Sequence, residues 1–369
     1  MERRFIVTGG GTSGHINPAL AIAGMLDKST TESGDTCKII FTGRTEGLEG
    51  ELVPAAGYEF VNVQAKAIPT KPSPKIIPAV TALLKGRTEC KKLIKEFGPE
   101  AVISTGGFVS APLLYAARSL NVPIIIHEAN AFPGRANKQL SKGAALVMTG
   151  FPGQEDIFPK AKRVVCTGNP VRPIFFENTY ESARKTLGIA PDEKLVFAMG
   201  GSLGSATITR FVLNCALEEA FKDVKFVLSV GKHNSVEIPE AAKDNPNIRI
   251  ESYIPNPSYY IAGSDVCILR AGAVTCAEIT ASKACAIMVP YPFAAHDHQT
   301  FNAEAIASKG GGIVISDDDV KAGKLTPVLS ELLSDEQRRE NIRQAAGELA
   351  VSDCDDRIVN AINEALEKK

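Results

Sequence analysis

Short apolar runs, each closed by a glycine or a polar turn, alternate with longer stretches of mixed polarity along the whole chain. In the first half the runs are RFIVTG, CKIIFTG (37–43), YEFVNV (58–63), AVIST (101–105), VPIIIHE (122–128) and ALVMTG (145–150). Between them the spacing predicts helices over about 18–29, 76–96 and 110–119. Apolar runs that do not alternate with polar residues, separated by helical stretches, specify a mostly parallel sheet covered on both faces. The second half repeats the scheme with KLVFAMGGS (strand 194–199), KFVLSVG (225–231), IRIESYI (248–254), DVCILRAG (265–272), ACAIMVPY (284–291) and GGIVIS (311–316). A charged, helical stretch over 328–368 follows.

VVCTGNPVRPIFFE (164–177) has several glycine and proline breakers and no helical period, so the change of domain is placed there. The expected division is 1–167, then 168–340, then a helical segment 341–369 bracing the first domain. A length of 369 residues suits two domains. Each half opens strand, glycine-rich turn, helix. Parallel sheets of this kind bind ligands beyond the carboxyl ends of their strands, so the expected fold is α/β with two doubly wound, Rossmann-like domains facing a cleft.

Charge and cysteine narrow the class. With 41 basic and 42 acidic side chains the chain is no general nucleic-acid coat, and no nucleic-acid partner is expected. The eight cysteines form no CxxC and mostly sit in apolar runs, as buried thiols of a reducing compartment do. The opening apolar run is too short for a signal peptide, and no apolar segment is long enough to span a bilayer.

The glycine turns carry the chemistry. In VTGGGTSGHINPALAIAGML (7–26), Gly9, Gly10, Gly11 and Gly14 allow a sharp turn and close approach to a ligand, and a helix opening near His15 or Asn17 offers unpaired N–H groups to an anion, with Pro18 in its first turn. The spacing matches neither the full dinucleotide fingerprint nor a nucleoside-triphosphate loop. His15 reads as a neutral imidazole able to accept a proton, or as a loop-packing residue. In STGGFVSAP (104–112), Gly106 and Gly107 make a second turn that could share one anion with the first, or a simple turn. His127 and Glu128 end an apolar strand, as a cleft edge with Asn130 bonding sugar hydroxyls or as a satisfied pair in a turn. In FAMGGSLGS, Ser202 and its neighbouring N–H groups suit a diphosphate, with Arg172 as a side-chain cation. Glu278 beside Gly272 suits a ribose or is a solvated helix acid. His296, Asp297 and His298 lack a third dispersed metal ligand, and amides such as Gln299 suit a sugar better. Finally, residues 66–95 hold eight Lys or Arg and one acid among apolar residues, either a surface for anionic lipid or an ordinary solvated helix.

GGGTSGHINPALAIA, TGGFVSAP, HEAN, GNPVR, GGSLGS, RAGAVTCAE and DHQTFNA, in this order across the chain, resemble the bacterial MurG family. The resemblance implies a GT-B fold and a metal-independent, inverting transfer of N-acetylglucosamine from UDP-N-acetylglucosamine to lipid I, giving lipid II for peptidoglycan. It implies no cofactor and a peripheral position on the cytoplasmic face of the cell membrane. By resemblance His15 is the base, with Glu128 as the next candidate, and Thr12 and Gly14 lie in the acceptor-diphosphate loop. Asn130 is close to the donor sugar, Arg172 and Ser202 meet the donor diphosphate, and Ile254 recognises uracil through its backbone. Glu278 binds ribose, Gln299 reads sugar hydroxyls, and Asn302 follows in the same motif. Leu203 stands where some members have Gln, SKACA (282–286) replaces a glycine–proline turn, and 76–84 lacks Trp and Phe. Three other readings share parts of this pattern: a transferase for another lipid, a UDP-N-acetylglucosamine epimerase, and a non-catalytic nucleotide-sugar sensor. Oligomeric state and the acceptor's peptide are not encoded in any motif.

Overall fold

The computed structural model describes residues 2–69, 71–201 and 203–367. The chain divides into two compact units. The first holds the described residues up to Pro170 and those from Asp353 onward; the second is Val171–Ser352. The boundary thus falls three residues later than 167/168. Residues 341–352 also stay with the second unit rather than crossing to the first. The reason is local: Ile342, Arg343 and Ala346 of the helix Glu336–Glu348 are buried there, and Arg343 donates to the Ser264 carbonyl.

The first unit carries seven parallel strands: β1 (Glu2–Gly9), β2 (Thr36–Gly43), β3 (Glu59–Asn62), β4 (Ala101–Gly106), β5 (Ile124–Glu128), β6 (Leu146–Thr149) and β7 (Val164–Cys166). Their order in the sheet is β3-β2-β1-β4-β5-β6-β7. β7 lies inside the segment expected to be a breaker; its Val–Val–Cys supplies one last edge strand before the glycine and prolines act. The helices are α1 (Ser13–Glu32), α2 (Glu49–Ala55), α3 (Ile76–Phe97), α4 (Ser110–Ser119) and α5 (Arg135–Leu140). α1 begins earlier than expected, at Ser13, so Pro18 sits in its second turn and removes the N–H that would meet the Gly14 carbonyl. The helix Cys354–Glu367 buries Cys354, Ile358, Ala361 and Ile362 in this unit, pinned by Asn363 accepting from Arg3 and by the Arg163–Glu364 pair.

The second unit repeats the order. β8 (Lys194–Met199), β9 (Val224–Ser229), β10 (Ile248–Glu251), β11 (Val266–Leu269), β12 (Ala286–Met288) and β13 (Ile313–Val314) lie as β10-β9-β8-β11-β12-β13, all parallel. In both units the sheet reverses winding between its first and fourth strands, the point at which open α/β sheets leave a crevice for ligand. The buried cores follow from the apolar runs: Ile6, Val102 and Ile126 in the first unit, Val196, Phe226 and Ile268 in the second.

Candidate active site

The glycine turns fall at these crevices. After β1, Gly10 N–H donates to the Gly106 carbonyl at 3.3 Å, joining the turn to the one after β4. Gly11, Gly106 and Gly107 have φ of 84°, 108° and 86°, and a Cβ on Gly107 would come within 2.2 Å of the Gly10 carbonyl oxygen. Only glycine permits both the left-handed backbone and the contact. Thr12 caps α1 with extended backbone and, like Gly14, is exposed. The first-turn N–H groups of Ser13 and Gly14 have no acceptor within the helix, which is the arrangement that meets an anion.

His15 lies in this first turn. Its Nδ1 is 3.0 Å from the Thr105 carbonyl oxygen, and Thr105 Oγ1 donates back to the His15 carbonyl at 2.6 Å. A carbonyl can only accept, so Nδ1 carries the proton in that bond and the neutral ring's acceptor nitrogen is Nε2. A Cβ on Gly106 would come within 3.1 Å of the imidazole, so the second glycine turn lies directly against the ring.

A residue that the motifs did not single out holds the first turn. Glu49, 1% exposed, accepts from Gly11 N–H at 3.1 Å through Oε2 and from Arg44 N–H at 3.2 Å through Oε1. Its only sequence signal is an acid shortly after the second strand, at the start of α2, without the dinucleotide spacing.

His127 and Glu128 are buried at 0% and 1% exposure rather than lining an open edge. The His127 Nε2–H donates to the Gly168 carbonyl, and burial lowers the ring's pKa against the raising effects of that bond and of Glu128. Glu128 Oε1 accepts from the backbone N–H and the Nδ2 of Asn130; Oε2 accepts from Gly134 N–H and Asn137 Nδ2, at 3.0 and 2.9 Å. Both oxygens of this carboxylate are engaged, so it does not fit the role of alternative base. It holds the 128–137 loop, and with it Asn130, whose carbonyl also accepts from Gln154.

In the second unit, Gly201 and Gly204 have φ of 84° and 88°, and a Cβ on Gly204 would lie 2.0 Å from the Val230 carbonyl oxygen. Ser205 caps the helix Ala206–Leu217 by accepting from Ile208 N–H. Ser202 lies outside the described residues. Beneath the turn is another group missed in the sequence: buried Arg270 donates to Ser205 Oγ at 2.6 Å and to the carbonyls of Val289 and Pro290, and pairs with Asp317 at 2.8 Å. Burial raises the Asp317 pKa, but hydrogen bonds from Thr207, Lys321 and Arg270 outweigh it and hold the carboxyl below its ordinary range.

Glu278 differs. It is in the second turn of the helix Ala273–Ala281, and its carboxylate accepts no hydrogen bond from a described residue. The side chain is only partly covered, yet its enclosure by neighbours pushes the pKa up to about 7, with the Arg172 guanidinium pulling the other way. Arg172 itself is exposed and lies over the Phe175 ring. Ile254 is buried after β10, beside exposed Tyr253, over whose ring Lys232 sits. Gln299 Oε1 accepts from Tyr291 N–H at 2.9 Å. Asn302 is 0% exposed and donates to the Ala271 carbonyl, so it is placed to fix the turn after β11 rather than to reach a sugar directly. His296 and Asp297 both adopt left-handed backbone, at φ of 56° and 55°. Among the described residues no cluster of three His, Cys, Asp or Glu converges as metal ligands would.

Two parallel-sheet α/β units, each with glycine turns at its topological switch point, are the architecture of GT-B glycosyltransferases, and the comparisons with known proteins place the chain among them. Residues 5–149 match the glycosyltransferase family 28 N-terminal domain and residues 195–358 its C-terminal domain. Over 93% of its length the chain is 36% identical to the UDP-N-acetylglucosamine–N-acetylmuramyl-(pentapeptide) pyrophosphoryl-undecaprenol N-acetylglucosamine transferase of Alkaliphilus metalliredigens, covering 94% of that protein. It is 34% identical over 99% of its length to the same enzyme of Caldicellulosiruptor saccharolyticus, covering 98% of it. Among solved structures, Acinetobacter baumannii MurG superposes with a TM-score of 0.78 at 25% identity, with 98% of this chain and 99% of that one covered. The chain belongs to the MurG family of glycosyltransferases.

Proposed function

We propose that this chain transfers N-acetylglucosamine from UDP-N-acetylglucosamine to the muramyl 4-hydroxyl of lipid I, giving lipid II. The observation that carries the reading is the His15 imidazole, locked by Thr105 with Nε2 as its acceptor nitrogen, beside two glycine turns tied to each other. The full-length relatives supply the substrate class. In the reaction the acceptor oxygen attacks the anomeric carbon, His15 Nε2 takes the hydroxyl proton, and the bond to the UDP oxygen breaks with inversion. The charge that develops on the diphosphate meets N–H groups of the turn after β8 and the Arg172 guanidinium. Glu278 accepts the ribose hydroxyls, the Ile254 backbone reads uracil, and Gln299 reads sugar hydroxyls. Thr12, Gly14, Gly106 and Gly107 hold the acceptor diphosphate.

The protein works as a peripheral enzyme on the cytoplasmic face of the membrane. No helix among the described residues is long and apolar enough to cross a bilayer. α3 instead leaves Ile77, Val80 and Leu84 exposed at 74, 39 and 56% among its lysines, the composition of an interfacial helix. Replacing Lys85, Lys91 and Lys92 with serine lowers partitioning onto anionic vesicles by roughly 1 kcal/mol per basic residue that reaches the surface. Equal partitioning of variant and parent removes α3 from that role.

The deciding experiment is incubation of the pure protein with UDP-N-acetylglucosamine and a short-chain lipid I analogue, with excess chelator in one arm. Mass spectrometry detects the disaccharide product in both arms. Absence of product in every arm refutes the transfer. Product only without chelator shows that the diphosphate's charge is met by a metal rather than by N–H groups and Arg172.

A further inference from the structure

We infer that a groove in the first unit, bounded by Phe108, binds the isoprenoid carbons next to the diphosphate of a polyprenyl-diphosphate acceptor. The inference rests on the acceptor class proposed above. The groove has a volume of 340 Å³, within the range of about 300–1,000 Å³ typical of small-molecule sites. Its walls are largely apolar, among them Ile68, Leu83, Ala111, Tyr115 and Ala136. Lys66 and Arg135 are its charged members, and no acid among the described residues lines it. An apolar channel with only positive charge suits a ligand whose body is hydrocarbon and whose head is an anion.

Phe108 joins this groove to the glycine turns. It follows Gly107 directly and lines the groove, while a methyl on Gly11 would lie 3.3 Å from its ring edge. The Arg44 guanidinium sits over the same ring, 5.8 Å from its centre, and the Arg44 backbone is held by Glu49, the carboxylate that also holds Gly11. One aromatic side chain therefore separates a place for an anion from a place for hydrocarbon. At Lys66 the groove meets a second, more open hollow of 410 Å³, bounded by Ile77 and Thr81 of α3. A chain leaving the groove this way reaches the exposed apolar residues of α3.

The test is titration calorimetry on the full chain with farnesyl diphosphate and, separately, inorganic diphosphate. The parent binds farnesyl diphosphate about tenfold or more tightly than inorganic diphosphate, a difference of at least about 1.4 kcal/mol. Ala136→Trp, which fills the groove, abolishes that preference and leaves inorganic diphosphate binding unchanged. Ala111→Phe fills it from α4 and repeats the measurement if the tryptophan variant loses its folded circular-dichroism signal. Equal binding of the two ligands by the parent, or a preference that survives both filled variants, overturns the inference. If the groove behaves as stated but no sugar is transferred, the assigned reaction falls and the groove stands.

Discussion

The two units share strand order and switch point, and both brace a glycine turn with a satisfied buried carboxylate, Asp317 doing so in the second. The second unit adds an acid of the opposite kind. In the first, Glu49 and Glu128 are buried with both oxygens occupied by protein donors. In the second, Glu278 accepts from no described residue, and its enclosure raises its pKa to about 7. A buried acid whose oxygens are all satisfied from within is a brace, because its bonding capacity is spent on the fold. An enclosed acid with open capacity is costly to the empty protein and is repaid when a ligand donates to it. The contrast separates the loop-holding acids from the ligand-reading one, although all lie near glycine turns.

The strongest way to break this division is at His15, the first unit's reacting group. His15→Ala lowers kcat by about 10²–10⁴-fold, the usual contribution of a general base, and leaves UDP affinity within a few-fold. Single-turnover rates near the parent's would make His15 a packing residue. At the ligand-reading acid, Glu278→Ala weakens UDP binding by about 1.5–3 kcal/mol as measured by calorimetry, since a charged acceptor is lost. Unchanged affinity removes the ribose assignment.

At the bracing acid, Glu49→Gln keeps one acceptor and turns an NH₂ group toward the other donor. The expected cost is about 1–3 kcal/mol of first-unit stability, read from urea unfolding, with UDP affinity unaltered. A variant as stable as the parent would show that Glu49 braces nothing. The smallest effect sharpens the comparison through pH. A ligand that donates to Glu278 prefers its ionised form, so UDP binds about tenfold more weakly at pH 6 than at pH 8. Glu278→Gln flattens that profile. The empty protein behaves oppositely: a carboxyl whose folded pKa is raised gives stability that is present at low pH and is lost as pH rises from its ordinary value through about 7. Nucleotide therefore protects against urea more at pH 8 than at pH 6.

The glycine turns and strand runs were legible because backbone geometry writes itself locally: Gly106 and Gly107 need positive φ and sit beside an apolar run. α3 and α4 appear within a residue of their expected bounds for the same reason. The braces were not legible. Nothing within the sequence around Glu49 says that its carboxylate reaches Gly11, 38 residues away, nor that Arg270 reaches Ser205 across 65. The HEAN motif was visible, but whether Glu128 faces solvent or closes a loop depends on Gly134 and Asn137 folding back over it. Asn302, which follows Gln299 in its motif, is likewise enclosed, and no local pattern shows that.

The return of the helix Cys354–Glu367 to the first unit bears on how the chain is made. During synthesis the first unit emerges early, yet the four side chains that cover part of its surface arrive only after the entire second unit has left the ribosome. Until then an apolar strip beside α1 and β6 is uncovered, and closing it requires a contact such as Arg3 with Asn363, 360 residues apart. Long-range closures of this kind are slow relative to local ones. The nascent protein therefore passes through an interval in which its first unit is nearly complete but leaves this apolar strip uncovered. A fragment ending near Pro170 would remain in that state.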